Sequence, residues 1–148
     1  MKTFTLRRSL WVPKPLDEVF SFFSDARNLE RITPKWLKIG SMKRPEPMVE
    51  GACIKHKLKI RGIPVTWVSE ITEWDPPYGF VDEQKKGPYR LWRHEHRFRE
   101  ERDGTVCEDI VKYAVLGGEF VNRFLIAPDL KKLFDYRQDK LKAILVRS

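Results

Sequence analysis

At 148 residues the chain has the length of one domain, and a single unit over 1–148 is expected. The formal net charge is +8, yet Lys and Arg are interleaved with Glu and Asp and no block of like charges occurs, which argues against a nucleic-acid-binding tail. Cys53 and Cys107 sit in no metal spacing, no run approaches the roughly 18 apolar residues of a membrane span, and the first residues lack a secretion signal, so a cytoplasmic protein with free thiols is expected.

Phe4, Leu6, Leu10 and Val12 alternate, which predicts a first strand that Pro13 ends. Pro15-Leu16-Asp17-Glu18 opens a helix, because proline fits the first turn and acids favour its positive end. Val19, Phe20, Phe22 and Phe23 give that helix an apolar side. A second short helix is expected over Ala26 to Arg31, with Asp25 as its N-cap and Thr33-Pro34 as its stop.

From Trp36 the period changes to two. Strands are predicted near 36–42, 52–60, 65–75, 80–86, 89–101 and 105–116, separated by Gly, Pro and Asp turn residues. Phe120, Phe124, Leu130, Leu133, Phe134, Leu141, Ile144 and Leu145 then recur at spacings of three and four on a C-terminal helix, apart from interruptions near Pro128 and Arg137–Gln138. Pro128 is expected to kink or break it, leaving a long part over about 128–146. The fold class is α+β: a curved seven-stranded antiparallel sheet, two short helices after its first strand, and the long helix as its cover.

Two hairpin turns set a register. With Asp103-Gly104 as the turn, His94 faces Tyr113, His96 faces Val111, and Asp109 lies diagonal to His96. With Gly62-Ile63 as the turn, His56 faces Ser69 and Ile54 faces Ile71. The inner surface thus collects Trp92, His94, His96, Phe98, Asp109, Val111 and Tyr113, while Lys55, Lys57 and Lys59 point outward. A simple turn at Gly87-Pro88 would set Glu83 against Trp92, so a bulge or longer loop is expected there.

A His-x-His pair on a strand would serve a metal if Asp109 or His56 lay near. The spacing is a weak signal, and no metal and no cofactor is assigned. His96 with Asp109 would also suit proton transfer, making these two the catalytic candidates, although a self-satisfying buried pair explains them equally. The aromatic residues Trp67, Trp92, Phe98, Tyr113, Phe124 and Phe134 read as core first and as walls of an apolar pocket second.

The segments Ile71 to Pro77, Phe80 to Gln84, Gly87-Pro88-Tyr89 and Trp92 to Phe98 resemble the SRPBCC superfamily, the START-like or polyketide cyclase/dehydrase-like group. Pro13 to Phe20 and Phe134 to Arg137 match it too. The resemblance spans essentially the whole chain and implies a helix-grip fold with a hydrophobic cavity between sheet and C-terminal helix. It implies a bound lipid, quinone or polyketide-like molecule. The wall residues it implies would be Trp67, Ile71, Trp92, His94, His96, Phe98, Asp109, Val111, Tyr113, Leu130 and Phe134, to which the hairpin register adds His56.

The resulting expectation is a carrier of a small hydrophobic molecule, with no nucleic-acid partner. A cyclase or dehydratase using His96 and Asp109 is the alternative. A partner-binding module touching anionic membrane through its basic face is a third. Oligomeric state is not legible.

Overall fold

The computed structural model describes residues 1–37 and 48–147. Strand β1 (Phe4–Val12) alternates in burial as its sequence does. Helix α1 (Leu16–Phe23) starts behind Pro15 and buries Leu16, Val19, Phe20 and Phe23. Helix α2 (Ala26–Arg31) is capped by Asp25, whose carboxylate accepts from the Arg27 backbone N–H. This satisfies one of the donors a helix start leaves free.

Five strands follow: β2 (Cys53–Ile60), β3 (Ile63–Asp75), β4 (Gly79–Lys86), β5 (Leu91–Glu101) and β6 (Gly104–Ala114). With β1 they form an antiparallel sheet ordered β1-β6-β5-β4-β3-β2. The described residues carry six strands, not the seven expected. The additional strand near 36–42 falls mostly outside the described residues, and Trp36 and Leu37 at its start lie in a turn.

Both hairpins turn one residue earlier than the sequence suggested. Ile60 pairs with Ile63 and Glu101 pairs with Gly104. The central residues, Arg61-Gly62 and Arg102-Asp103, all take positive φ, the backbone that matches the twist of a tight hairpin. Gly104 is needed in the strand instead. A Cβ there would lie 2.3 Å from the Val12 carbonyl oxygen and 2.7 Å from the Trp11 ring. Each pairing therefore slides by two residues, so His94 faces Val111 and His96 faces Asp109, and every side chain keeps its expected face. The connection after β4 is a longer loop, as expected, braced by Gln84, which donates to the Tyr89 carbonyl and accepts from its N–H.

The C-terminal helical stretch does not break at Pro128. Helix α3 (Gly118–Val121) passes through a π-turn (Asn122–Ile126) into α4 (Ala127–Leu141), and a second π-turn (Lys142–Val146) ends it. A proline ring normally collides with the carbonyl four residues back. The widened turn lies just where that collision would occur. Phe120 and Phe124, expected on the apolar stripe, are exposed at 73% and 56%.

The core has two clusters. Phe20, Phe23, Phe80, Phe98, Leu141 and Leu145 join α1 and the helix end to the sheet. Trp67, Trp92, Val111, Tyr113, Leu130 and Phe134 join α4 to the other half. No helix among the described residues is long and apolar enough to cross a membrane.

Candidate functional site

Between the two clusters lies a cavity of about 520 Å³. Sheet curvature opens it, because α4 bridges the concave face without following it. Its apolar walls include Trp67 and Trp92, whose rings meet edge to face at 5.2 Å, with Ile71 on β3 and Leu130 and Leu133 on α4. The Trp67 indole N–H donates to Ser69 Oγ at 2.9 Å, so the polar edge of that ring is satisfied within the wall.

Of the residues expected at the site, His56, Trp67, Ile71, Trp92, His94, His96 and Leu130 line this cavity. Phe98 packs instead among Phe20, Phe23 and Phe80. Val111, Tyr113 and Phe134 stand behind the wall as core. The Tyr113 hydroxyl donates to Asn122 Oδ1 at 2.7 Å. Asp109 also lies behind the wall, beside Phe134 and Arg137.

The cavity floor is polar. His94 and His96 are buried, and their rings stack with centroids 3.8 Å apart. His96 is further covered by Phe80, stacked at 4.2 Å on its other face. The expected His96–Asp109 pair is replaced by two crossed pairs. His94 Nε2 lies 2.7 Å from Asp109 Oδ1, and His96 Nε2 lies 2.7 Å from Asp82 Oδ2. A carboxylate only accepts, so both imidazoles carry a proton on Nε2 and donate it. Their Nδ1 atoms face the opposite acids at longer range, 4.0 Å from Asp82 for His94 and 3.7 Å from Asp109 for His96. The β5–β6 register sets Asp109 opposite His96 and the β4–β5 register sets Asp82 opposite His94, so both short hydrogen bonds run diagonally to the neighbouring histidine.

Arg137 of α4 completes the floor. Its Nη2 approaches Asp109 Oδ1 at 3.6 Å, and its guanidinium lies over the Phe134 ring. Sequence reasoning missed both Arg137 and Asp82. Arg137 had counted only as an interruption of an apolar stripe. Asp82 pairs across β3–β4, where two register shifts disrupt simple parity.

The charges follow from these contacts. Burial raises the Asp82 carboxyl, but the His96 hydrogen bond and the nearby His94 and Arg137 outweigh it, so its pKa falls below the usual carboxylate range. Asp109 is likewise raised by burial and lowered further by Arg137, then by His94 and His96, with a net fall. Burial and then the adjacent His94 push His96 down to about 4, against the pull of both acids. Burial also lowers His56 and lifts the Cys107 thiol to about 12, leaving that thiol unreactive near neutrality.

At the cavity mouth the β2–β3 turn meets α4. Arg61 donates two hydrogen bonds to the Asp129 carboxylate, at 2.9 and 3.0 Å. Lys132 sits over the Trp36 ring at 4.4 Å, and both line the opening.

No curated protein matches the chain by sequence. Among solved structures it is similar to the Zhui aromatase/cyclase from Streptomyces sp. R1128, with 13% identity, 95% of this chain and 92% of that chain covered, and a TM-score of 0.74. It is similar to ginseng major latex-like protein 151 from Panax ginseng, with 12% identity, 97% of both chains covered and a TM-score of 0.72. It is also similar to a START superfamily protein from Mycobacterium smegmatis, with 12% identity, 95% and 98% covered and a TM-score of 0.69. At such identities the likeness establishes the helix-grip fold and nothing finer. The profile described as polyketide cyclase / dehydrase and lipid transport matches residues 12–143. The chain therefore belongs to the polyketide cyclase / dehydrase and lipid transport family, within the SRPBCC superfamily.

Proposed function

We propose that the chain binds a small hydrophobic molecule in the cavity between sheet and α4, with the polar end of that molecule on the His94, His96 and Asp82 floor. The observation that carries the reading is an apolar cavity of about 520 Å³ with ionisable groups gathered at one place in its lining. That volume suits a drug-sized molecule. Burying its carbon skeleton against Trp67, Trp92 and Leu130 gains roughly 25 cal/mol for each Å² of apolar surface. The floor fixes orientation through acceptors, the Asp82 carboxylate and the imidazole nitrogens that carry no proton, which suit a hydroxyl on the bound molecule. A lipid, quinone or polyketide-like molecule has this build, a flat or flexible hydrocarbon with oxygen at one end.

The test is native mass spectrometry of the freshly purified protein, together with titration of an apolar fluorescent probe. The expected result is a stoichiometric small-molecule adduct or saturable probe binding that quenches Trp67 and Trp92. A bare mass with no saturable binding would remove the reading.

A second reading, cyclase or dehydratase chemistry, is favoured by one observation. His96 lines the cavity with its Nε2–H fixed on Asp82 at 2.7 Å, and burial keeps the ring neutral down to about pH 4. A ring fixed by a carboxylate in the wall of a cavity is placed to take part in moving a proton next to a carbonyl. On the carrier reading His96→Gln retains most probe affinity. On the enzyme reading it abolishes turnover of a polyketide substrate.

A further inference from the structure

We propose that Asp82, His94 and His96 form a binding site for one divalent transition-metal cation, open to the cavity. This goes beyond the ligand reading and stands whether or not an organic molecule occupies the cavity.

The ligand atoms of these three residues lie within 4.8 Å of one another. Zinc bonds to nitrogen and carboxylate oxygen run roughly 2.0–2.2 Å, so one cation spans donors up to roughly 4.4 Å apart. His94 Nδ1 and Asp82 Oδ2 are 4.0 Å apart, within that span. His96 Nε2 is nearer the same oxygen, at 2.7 Å, and must open by roughly half an ångström to share a cation with it.

The outer contacts suit the assignment. Each imidazole turns one nitrogen toward Asp82 and the other toward Asp109. Histidines that bind metals donate their remaining N–H to a carboxylate, which fixes tautomer and ring orientation. His94 already does so, with Nε2 on Asp109 at 2.7 Å. In His96 the Nδ1 atom is buried without a hydrogen-bond partner, 3.7 Å from that same Asp109 oxygen. A cation on His96 Nε2 displaces its proton to Nδ1, where Asp109 receives it. One arrangement thus gives a use to a buried ring nitrogen that the hydrogen-bonded network leaves idle.

Charge and access agree. Asp82 and Asp109 set two carboxylates against the one guanidinium of Arg137, an excess of one negative charge in a poorly solvated place. Asp82, His94 and His96 all line the cavity, so the remaining coordination positions face it. Two imidazoles and one carboxylate suit Zn²⁺, Co²⁺ or Fe²⁺, whereas Mg²⁺ and Ca²⁺ prefer oxygen alone.

The experiment is titration of chelator-treated full-length protein with Co²⁺, followed by visible absorption, and with Zn²⁺, followed by calorimetry. One equivalent of each is expected to bind, with Zn²⁺ displacing Co²⁺. Asp82→Asn and His94→Ala should each weaken binding at least roughly tenfold, and Asp109→Asn about 10–100-fold. Cys53→Ser, which removes the exposed thiol, should change nothing. The wild-type protein supplies an independent readout, since His56, His94 and His96 are its three histidines. Zn²⁺ should shift the imidazole nitrogen signals of His94 and His96 and leave those of His56 in place. Absence of saturable binding, unaltered affinity in folded Asp82→Asn, or a shift confined to His56 would overturn the site. Apolar-probe binding is scored separately, so failure of one proposal is distinguishable from failure of the other.

Discussion

His94 and His96 stack 3.8 Å apart, and each donates its Nε2–H to a different aspartate. Buried between Phe80 and His94, His96 takes up a proton only near pH 4 in the folded state. In the unfolded chain it does so near pH 6.5. Between those values the unfolded state binds a proton that the native state does not. Stability is therefore flat in this residue above about pH 6.5 and falls as pH drops toward 4, by on the order of 3 kcal/mol at about 1.4 kcal/mol per unit. Asp82 and Asp109 extend the loss to more acid pH, because their lowered pKa values keep them ionised after the unfolded carboxylates have protonated. Urea midpoints of metal-free protein at about pH 7.5, 6 and 4.5 check this. His96→Gln should reduce the slope between 6.5 and 4, with the lowered His56 keeping some of it, and a slope equal to wild type would refute the account.

Removing Asp109 leaves the Arg137 guanidinium and the His94 Nε2 proton buried beside an apolar side chain. Breaking a buried charged pair from one side costs about 3–5 kcal/mol. Asp109→Ala is expected in that range by guanidinium denaturation, and Asp109→Asn, which retains an acceptor, well below it.

Leu133 lines the cavity from α4 and is only partly buried. Leu133→Trp places an indole in space that no side chain fills, so the strain of overpacking does not arise. Apolar-probe affinity should fall roughly tenfold or more while the melting temperature holds or rises, the opposite of what a filled core would give. Equal probe affinity in the variant would place the binding elsewhere.

Arg61 and Asp129 hold the β2–β3 turn against α4 at the mouth, and both are largely solvent-exposed. Exposed pairs contribute only about 0.2–1 kcal/mol. Asp129→Ala should therefore leave stability nearly unchanged and speed both entry and release of a probe, measured by stopped-flow fluorescence.

Arg102 and Asp103 both adopt left-handed backbone, which costs an L-residue roughly 1–2 kcal/mol. Arg102→Asn with Asp103→Gly relieves that cost against some loss of chain entropy. A net gain of about 1 kcal/mol is expected by thermal melting. Gly104→Ala, one residue on, should destabilise, because its Cβ meets backbone at Val12.

Much of this architecture is legible in alternation. Phe4 to Val12, Cys53 to Ile60 and Trp92 to Phe98 announce their faces residue by residue, and a register error of two cannot change a face. The same insensitivity hides which groups touch. Choosing Asp103-Gly104 as the turn puts Asp109 out of reach of His94, and the irregular β3–β4 register hides Asp82, the hydrogen-bond partner of His96. Turn position depended on what Gly104 packs against, namely Trp11 and Val12, and that contact reaches more than ninety residues back along the chain. Arg137 was hidden for a related reason. A charged residue on an apolar stripe signals a buried ion only once the facing carboxylate is known.

The π-turn over Asn122–Ile126 accommodates one residue more per turn than the helix around it. Shortening the chain by one residue inside that stretch would tighten it into an ordinary turn and leave Leu130 and Phe134 aimed at the sheet. The same deletion between Leu130 and Phe134 would swing everything beyond it by about 100°, carrying Phe134, Arg137 and Leu141 off the faces they occupy. The tolerance of this helix to length change is therefore local, concentrated just upstream of the residues that roof the cavity.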